Sequence, residues 1–218
     1  HQKAAAAYAR GFYGDLVMPL RGLDKDNILR PDTSLEKLAT LKPAFDKRSG
    51  KGTLTAGNST NLSDGASAAL LSSEAWAQAN GKEIQAYLVD AQVAAVDFVA
   101  GEGLLMAPAW AVAQLLKRNN LKLQDFDFYE IHEAFAAQVL CTLKAWESEE
   151  FCKTKLGMDG ALGSIDRSKL NVVGSSLALG HPFAATGARI VATAAKLLKE
   201  KGQGRVLISI CTAGGMGV

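Results

Sequence analysis

Several residue types that define specialised proteins are scarce in this chain. It has three cysteines in 218 residues, Cys141, Cys152 and Cys211, and no two of them form a C-x-x-C pair. An odd, scattered set argues against a disulfide framework and favours a reducing compartment, so a cytoplasmic location is expected. Charge of one sign is not in excess either. Lys and Arg number 24 against 22 Asp and Glu, a formal net charge of +2. Such a balance gives no electrostatic case for binding nucleic acid or an anionic membrane. No apolar run approaches the roughly 18–20 residues that a spanning helix needs, so no integral membrane segment is expected. No succession of basic, apolar and small residues marks a signal peptide. Histidine is equally sparse, with His1, His132 and His181 alone.

What is present is a globular composition, 48% AVILMFWYC and 21% charged. A chain of this length can bury a sizeable core without a staple. "HQKAAAAYARG" reads as a helix, and residues 15–57 as a loop-rich excursion with a short helix near "SLEKLATL". "SDGASAALLSSEAWAQANG" is expected to be a helix capped by Ser63 or Asp64, with Ala68, Leu71 and Ala75 on one face. Then the pattern becomes regular. "IQAYLVDAQVAAV" reads as a strand, and "APAWAVAQLLKRNN" as a helix with Val112, Leu115 and Leu116 inward. "DFDFYEI" reads as a strand that runs into the helix "HEAFAAQVLCTLKAW", where Phe135, Val139, Leu143 and Trp146 align. After a polar insertion come the strand "LNVVGSS", the helix "GARIVATAAKLLKEKG" and the strand "RVLISIC". Alternating strands and helices predict an α/β layered fold. Cys141 and Cys152 read as structural residues, and Trp76, Trp110 and Trp146 as core or helix-face residues.

The residues capable of chemistry gather at three turns, and in α/β sheets such turns lie at the carboxyl edge, where ligands bind. In "GHPFAATGAR", Gly180 permits close backbone approach and Pro182 biases His181 away from helical geometry. An imidazole held there can take a proton from a thiol and return it; packing under a loop is the bland alternative. Cys211 ends an apolar strand, where a buried inert thiol is common. Yet the side-chain-poor "AGGMG" follows at once, and its amides can face a developing oxyanion. His132-Glu133 begins like a zinc-protease helix, but Ala136 occupies the second histidine's place, so no metal site is expected. His132 could hold a water or hydrogen-bond an oxyanion, or simply cap a helix. "AGGMG" lacks the Lys-Ser/Thr of a phosphate loop, and "GEG" at 101–103 lacks dinucleotide spacing.

Taken together and in order, "HEAFA", "NVVGSSLALGHPFAATGAR" and "CTAGGMG" resemble the C-terminal signatures of the thiolase family. "LKPAFDKRSGKGTLTAGNSTNLSDGASAALL" looks like the family's stretch from the coenzyme A-binding loop region back into the core. The resemblance spans essentially the whole chain. With histidine before "EAF", "GHPFAATG" and the insertion after Trp146, it is most similar to the bacterial fatty-acid-oxidation 3-ketoacyl-CoA type. It implies a thiolase-like layered α/β/α fold, of which this chain would carry the C-terminal half plus part of the rest. Residues 1–72 would be the remainder of the loop domain, and 73–99 the last helix and strand of the N-terminal half. Residues 100–218 would be the C-terminal domain without its final strand. The acyl-accepting cysteine would lie in the absent N-terminal half.

By motif position, the resemblance implies that His181 activates that cysteine and contributes to one oxyanion hole. His132 would hold the water completing the hole, and Cys211 would be the second catalytic cysteine, moving protons. The Ala213 amide would serve the second oxyanion hole, at a position where the family has glycine. Phe135 and Ala134 would line the acyl pocket, Thr60 would meet the pantetheine arm, and Lys42 would lie near the nucleotide end. Acyl-CoA and coenzyme A are implied as substrates, with no permanently bound cofactor. The expected assembly is a homo-oligomer or pairing with the missing half, because the strand at 84–96 should otherwise leave an exposed face. Two other readings remain open: a non-catalytic thiolase-like fragment that pairs with a partner chain, and a ketosynthase relative. The Gly-His-Pro and the cysteine before the glycine cluster argue against the ketosynthase.

Overall fold

Alanine-rich and apolar-periodic stretches become helices wherever a second element covers their apolar face. The computed structural model describes all of residues 1–218. Helix α1 (Gln2–Ala9) is followed by the short α2 (Leu35–Ala39), capped by the Ser34 hydroxyl, and by α3 (Glu74–Ala79), capped by the Ser73 hydroxyl. Strand β1 (Ala94–Ala95) leads to α4 (Ala107–Asn119), which has a proline in its first turn and stops where Asn120 turns left-handed. Proline first and a left-handed residue last suit the unpaired backbone groups of helix ends. Next come β2 (Phe128–Ile131), α5 (Ala136–Glu147), α6 (Glu149–Thr154) and a 3-10 turn at Arg167–Lys169. The chain closes with α7 (Ser176–Leu179), α8 (Ala185–Lys201), β3 (Val206–Ser209), β4 (Cys211–Thr212) and β5 (Met216–Gly217).

Two sheets organise these elements. β2 and β3 run parallel, with Phe128 opposite Val206 and Ile131 opposite Ser209, and the intervening helices supply the crossover a parallel pair requires. β5 lies between β1 and β4, antiparallel to both. Alternation along β2 sorts its side chains between two cores. Tyr129 and Ile131 enter one with Val112, Leu116, Val139, Trp146 and Leu207. Phe128 borders the other, formed by Ala4, Phe12, Tyr13, Val173 and Leu197. Glu130 and His132 share the parity of Phe128, which places two polar side chains inside the protein. No helix is long and apolar enough to cross a membrane.

The structure departs from the sequence pattern in four places. The helix expected over 63–81 forms only at Glu74–Ala79, and Leu71 and Ala75 are exposed while Ala77 is buried. Ser63 and Ser67 spend their hydroxyls on partners near His181 and on the Ala185 carbonyl, so they hold 63–67 against the following loop instead of in a helix. The strand expected over 84–96 exists only at Ala94–Ala95, because β5 is the only ladder offered to it; Tyr87, Leu88, Val89 and Val93 are exposed. "LNVVGSS" makes one bridge, Leu170 to Tyr129, and then turns. Finally, α5 begins at Ala136, so His132 and Phe135 precede the helix and Phe135 is only half-buried. Trp76 and Cys141 are exposed, unlike Trp146 and Cys152.

Candidate active site

The turn after β2 is held from both sides. His132 N–H donates to the Ser209 carbonyl (2.9 Å), which extends the parallel ladder one residue beyond the strand. Asn171, itself left-handed with φ 47°, accepts from Ile131 N–H (2.9 Å) and donates to the Ile131 carbonyl (3.0 Å) and to Glu133 Oε1 (2.8 Å). Glu133 Oε2 accepts from Leu177 N–H (3.1 Å), tying the turn to α7. On the other side runs the extended segment 58–63. The Asn58 carbonyl accepts from Ala136 N–H, and Thr60 N–H donates to the Ala134 carbonyl, both at 2.9 Å. Thr60 Oγ1 donates to the Ser176 carbonyl (2.9 Å). His181 N–H reaches the Asn61 carbonyl (3.3 Å) and Ser63 Oγ (3.0 Å). One short stretch therefore stitches the two histidine turns together.

The rings of His132 and His181 lie 4.3 Å apart between centroids. His132 is 1% exposed, and its pKa is pushed down to about 3 by burial first and then by His181 and Arg189. His181 is half-buried, and burial followed by the Arg189 charge lowers its pKa as well. Both imidazoles are therefore neutral near pH 7, the state in which one can act as a base. His181 Nδ1 sits 2.6 Å from Thr186 Oγ1, whose hydroxyl donates to the Pro182 carbonyl (3.3 Å). With its proton so directed, Thr186 accepts from His181 Nδ1–H, which leaves the Nε2 lone pair free. Gly180 has φ +82°, and a Cβ there would collide with the Ser63 side chain, so only glycine fits.

Cys211 is buried, and burial raises its pKa to about 11, opposed in part by the backbone of Cys211 and Ala134. Its sulfur therefore holds a proton at rest, near the turn that carries His132. The amides of Ala213, Gly214 and Gly215 have no intramolecular acceptor, and Ala213 is exposed in the turn between β4 and β5. Phe135 stacks edge-on against Phe45 (5.5 Å between centroids), which brings the 41–56 excursion over the turn. Lys42 is exposed and makes no ion pair. No group of three or more His, Cys, Asp or Glu side chains comes together in a way that could hold a metal.

The structure thus gathers His132, His181, Cys211, Ala134, Phe135 and Thr60 around one place and leaves Lys42 apart from their hydrogen-bond network. It also brings in residues that local pattern does not mark. Ser176, Arg189, Asn171 and Ser63 act through partners distant in sequence, and Glu130 is buried in the field of Arg189 without a hydrogen-bond partner. The clue available was the parity of "FYEIH", which puts a carboxylate and an imidazole on the inward face of a strand, where each must find a partner.

Comparison with known proteins bears on this geometry. Residues 82–218 match the family model "Thiolase, C-terminal domain", and residues 1–75 match "Thiolase, N-terminal domain". A 3-ketoacyl-CoA thiolase of Shewanella loihica is 44% identical over 223 residues, covering 100% of this chain and 50% of that protein. One from Shewanella woodyi is 46% identical over 195 residues, covering 89% and 44%. Among solved structures, the Bacillus anthracis acetyl-CoA acetyltransferase aligns with a TM-score of 0.77 at 35% identity, over 100% of this chain and 51% of that one. Human mitochondrial 3-ketoacyl-CoA thiolase in complex with CoA aligns with a TM-score of 0.79 at 31% identity, over 99% and 50%. The chain spans about half the length of the curated relatives it matches. With both family models matched, the relatives similar throughout and the layered α/β fold shared, the chain belongs to the thiolase family.

Proposed function

We propose that this chain carries the proton-transfer half of a thiolase active site. The reaction is coenzyme A-dependent cleavage of a 3-ketoacyl-CoA, or its reverse, the Claisen condensation of acetyl-CoA. The observation that carries the reading is the approach of two neutral imidazoles, 4.3 Å between ring centroids, with the buried Cys211 thiol near the Ala134 backbone of the same turn. In cleavage, a cysteine thiol supplied from outside this chain loses its proton to His181 Nε2 and attacks the 3-keto carbon. The tetrahedral oxyanion is stabilised by His181 and by a water held at His132. The bond between C2 and C3 breaks, the acyl group stays on sulfur, and Cys211 gives its proton to the acetyl-CoA carbanion. Coenzyme A then attacks the acyl-enzyme as its thiol proton passes to Cys211, the bond between the acyl carbon and the outside cysteine breaks, that sulfur takes its proton back from His181, and the acyl-CoA leaves. The raised pKa of Cys211 suits this order, because the thiol must enter protonated. The amide of Ala213 faces the thioester oxyanion, Phe135 and Ala134 line the acyl site, and Thr60 and Lys42 meet coenzyme A. Neither exposed Cys141 nor buried Cys152 belongs to this cluster, so the acyl-accepting sulfur comes from the rest of the protein, as a homo-oligomer or a paired half in the cytoplasm.

The test combines this chain with an N-terminal thiolase half and follows 3-ketoacyl-CoA thiolysis. Activity is expected, and His181→Ala is expected to abolish turnover while leaving the fold intact. Wild-type rates in that variant would reject the assignment of His181. A stable complex that never turns over would favour a non-catalytic, partner-binding role.

A further inference from the structure

The buried side of His132 is wired to a cation. We propose that Ser176 and Arg189 are positioning residues that lock His132 as the neutral tautomer with its proton on Nε2. Ser176 is fully buried, and its Oγ lies 2.7 Å from His132 Nδ1 and 2.8 Å from Arg189 Nη2. A guanidinium has donors only, so Arg189 donates to a Ser176 lone pair. The serine has one proton left to place, and His132 Nδ1 is the only other partner of its oxygen. If Nδ1 carried a hydrogen, Ser176 Oγ would face two donors and its own proton would have no acceptor in the chain, whereas the other side of the ring lies beside His181, whose Nε2 lone pair is free. The hydroxyl therefore donates to Nδ1, and the ring proton is forced onto Nε2. That Nε2 is fully buried with no partner in the chain, and its own ring lies against that of His181.

The chain of donors runs from α8 through α7 to the end of β2, and it starts at a guanidinium, a group that stays charged in proteins. Burial is the largest influence on Arg189 and lowers its pKa, opposed by the anionic forms of Glu130 on β2, Tyr13 after α1, Glu133 on the following turn and Asp26 in the loop beyond. The arrangement makes the two histidines complementary. Thr186 leaves His181 with a bare Nε2, a base, while Ser176 leaves His132 with an Nε2–H, a donor. The catalytic value of that donor, toward a water or an oxyanion, rests on the acyl-transfer reading; the tautomer does not.

With only three histidines, the chain suits 15N NMR after labelling with 15N-histidine. In the wild-type chain His132 is expected to show a protonated Nε2 and a bare Nδ1, with the opposite pattern at His181. Ser176→Ala is expected to convert the single His132 form into a mixture of both tautomers, and Ser176→Thr to restore the single form. A wild-type His132 protonated on Nδ1 would overturn the proposal, as would an unchanged His132 tautomer in folded Ser176→Ala. If Ser176→Ala does not fold, the wild-type and Ser176→Thr spectra decide the matter. A purely structural serine would move stability without moving the tautomer. Failure of the reconstituted protein to catalyse thiolysis would count against the reaction and leave this result standing.

Discussion

Glu130→Gln tests the interior polarity of the fold most directly. Glu130 is fully buried on β2, and neither carboxyl oxygen has a hydrogen-bond partner. Desolvation is the largest influence on it, opposed by the Arg189 charge and reinforced by Glu133, and its pKa rises from 4.5 to about 8. The folded protein thus binds this proton more tightly than the unfolded chain does. Below about pH 4.5 the side chain is neutral in both states and has no pH-dependent effect. As pH rises from there the unfolded chain ionises freely, so the wild type loses stability until the folded carboxyl also ionises near pH 8. At about 1.36 kcal/mol per pKa unit the accumulated loss approaches roughly 5 kcal/mol, a large share of the 5–15 kcal/mol typical of a domain. Glutamine has nearly the same shape and no proton to lose. Urea unfolding at about pH 5 and about pH 8.5 should therefore show the variant close to wild type at the lower pH and several kcal/mol more stable at the higher. Groups common to both proteins, His132 included, cancel in the difference. A gap that is independent of pH, or a variant less stable than wild type at the higher pH, would refute the reasoning. The second result would mean that Glu130 is ionised and paired with Arg189.

Two further outcomes follow from backbone geometry. Asn171→Ala removes the partner of both the N–H and the carbonyl of Ile131; a loss of about 2–4 kcal/mol is expected by urea unfolding, and a loss under half a kcal/mol would contradict the clamp. Ala184 opens α8 in the left-handed region at φ 66°, so Ala184→Gly should stabilise the chain by about 1 kcal/mol. That corresponds to a rise in Tm of roughly 2–4 °C by calorimetry, whereas a lower Tm would show that the alanine is not strained.

Local pattern revealed α4, α5, α8 and the parallel strands because each carries its own periodicity and its partners lie within the chain. It failed at 63–73 and 84–93, where small, hydroxyl-bearing or apolar residues suit a helix or a strand equally well. In the structure their neighbours decide: Ser63 is bound to His181, and only Ala94–Ala95 finds a strand to pair with. The three site turns were legible as glycine, proline, histidine and cysteine at strand ends. Their supports were not. Ser176 reads as one more small residue in a turn, and Arg189 as one more cation on a helix, until the fold sets them between His132 and Glu130.

The stitching segment at 58–63 carries a consequence for how this protein can be divided. It lies within residues 1–75, while both imidazoles that it holds lie within 82–218. The border between the two matched regions therefore runs through the candidate site. A fragment starting at residue 82 would keep both rings and the sulfur yet lose the backbone that ties the two histidine turns together, so the smallest unit that preserves this arrangement straddles that border.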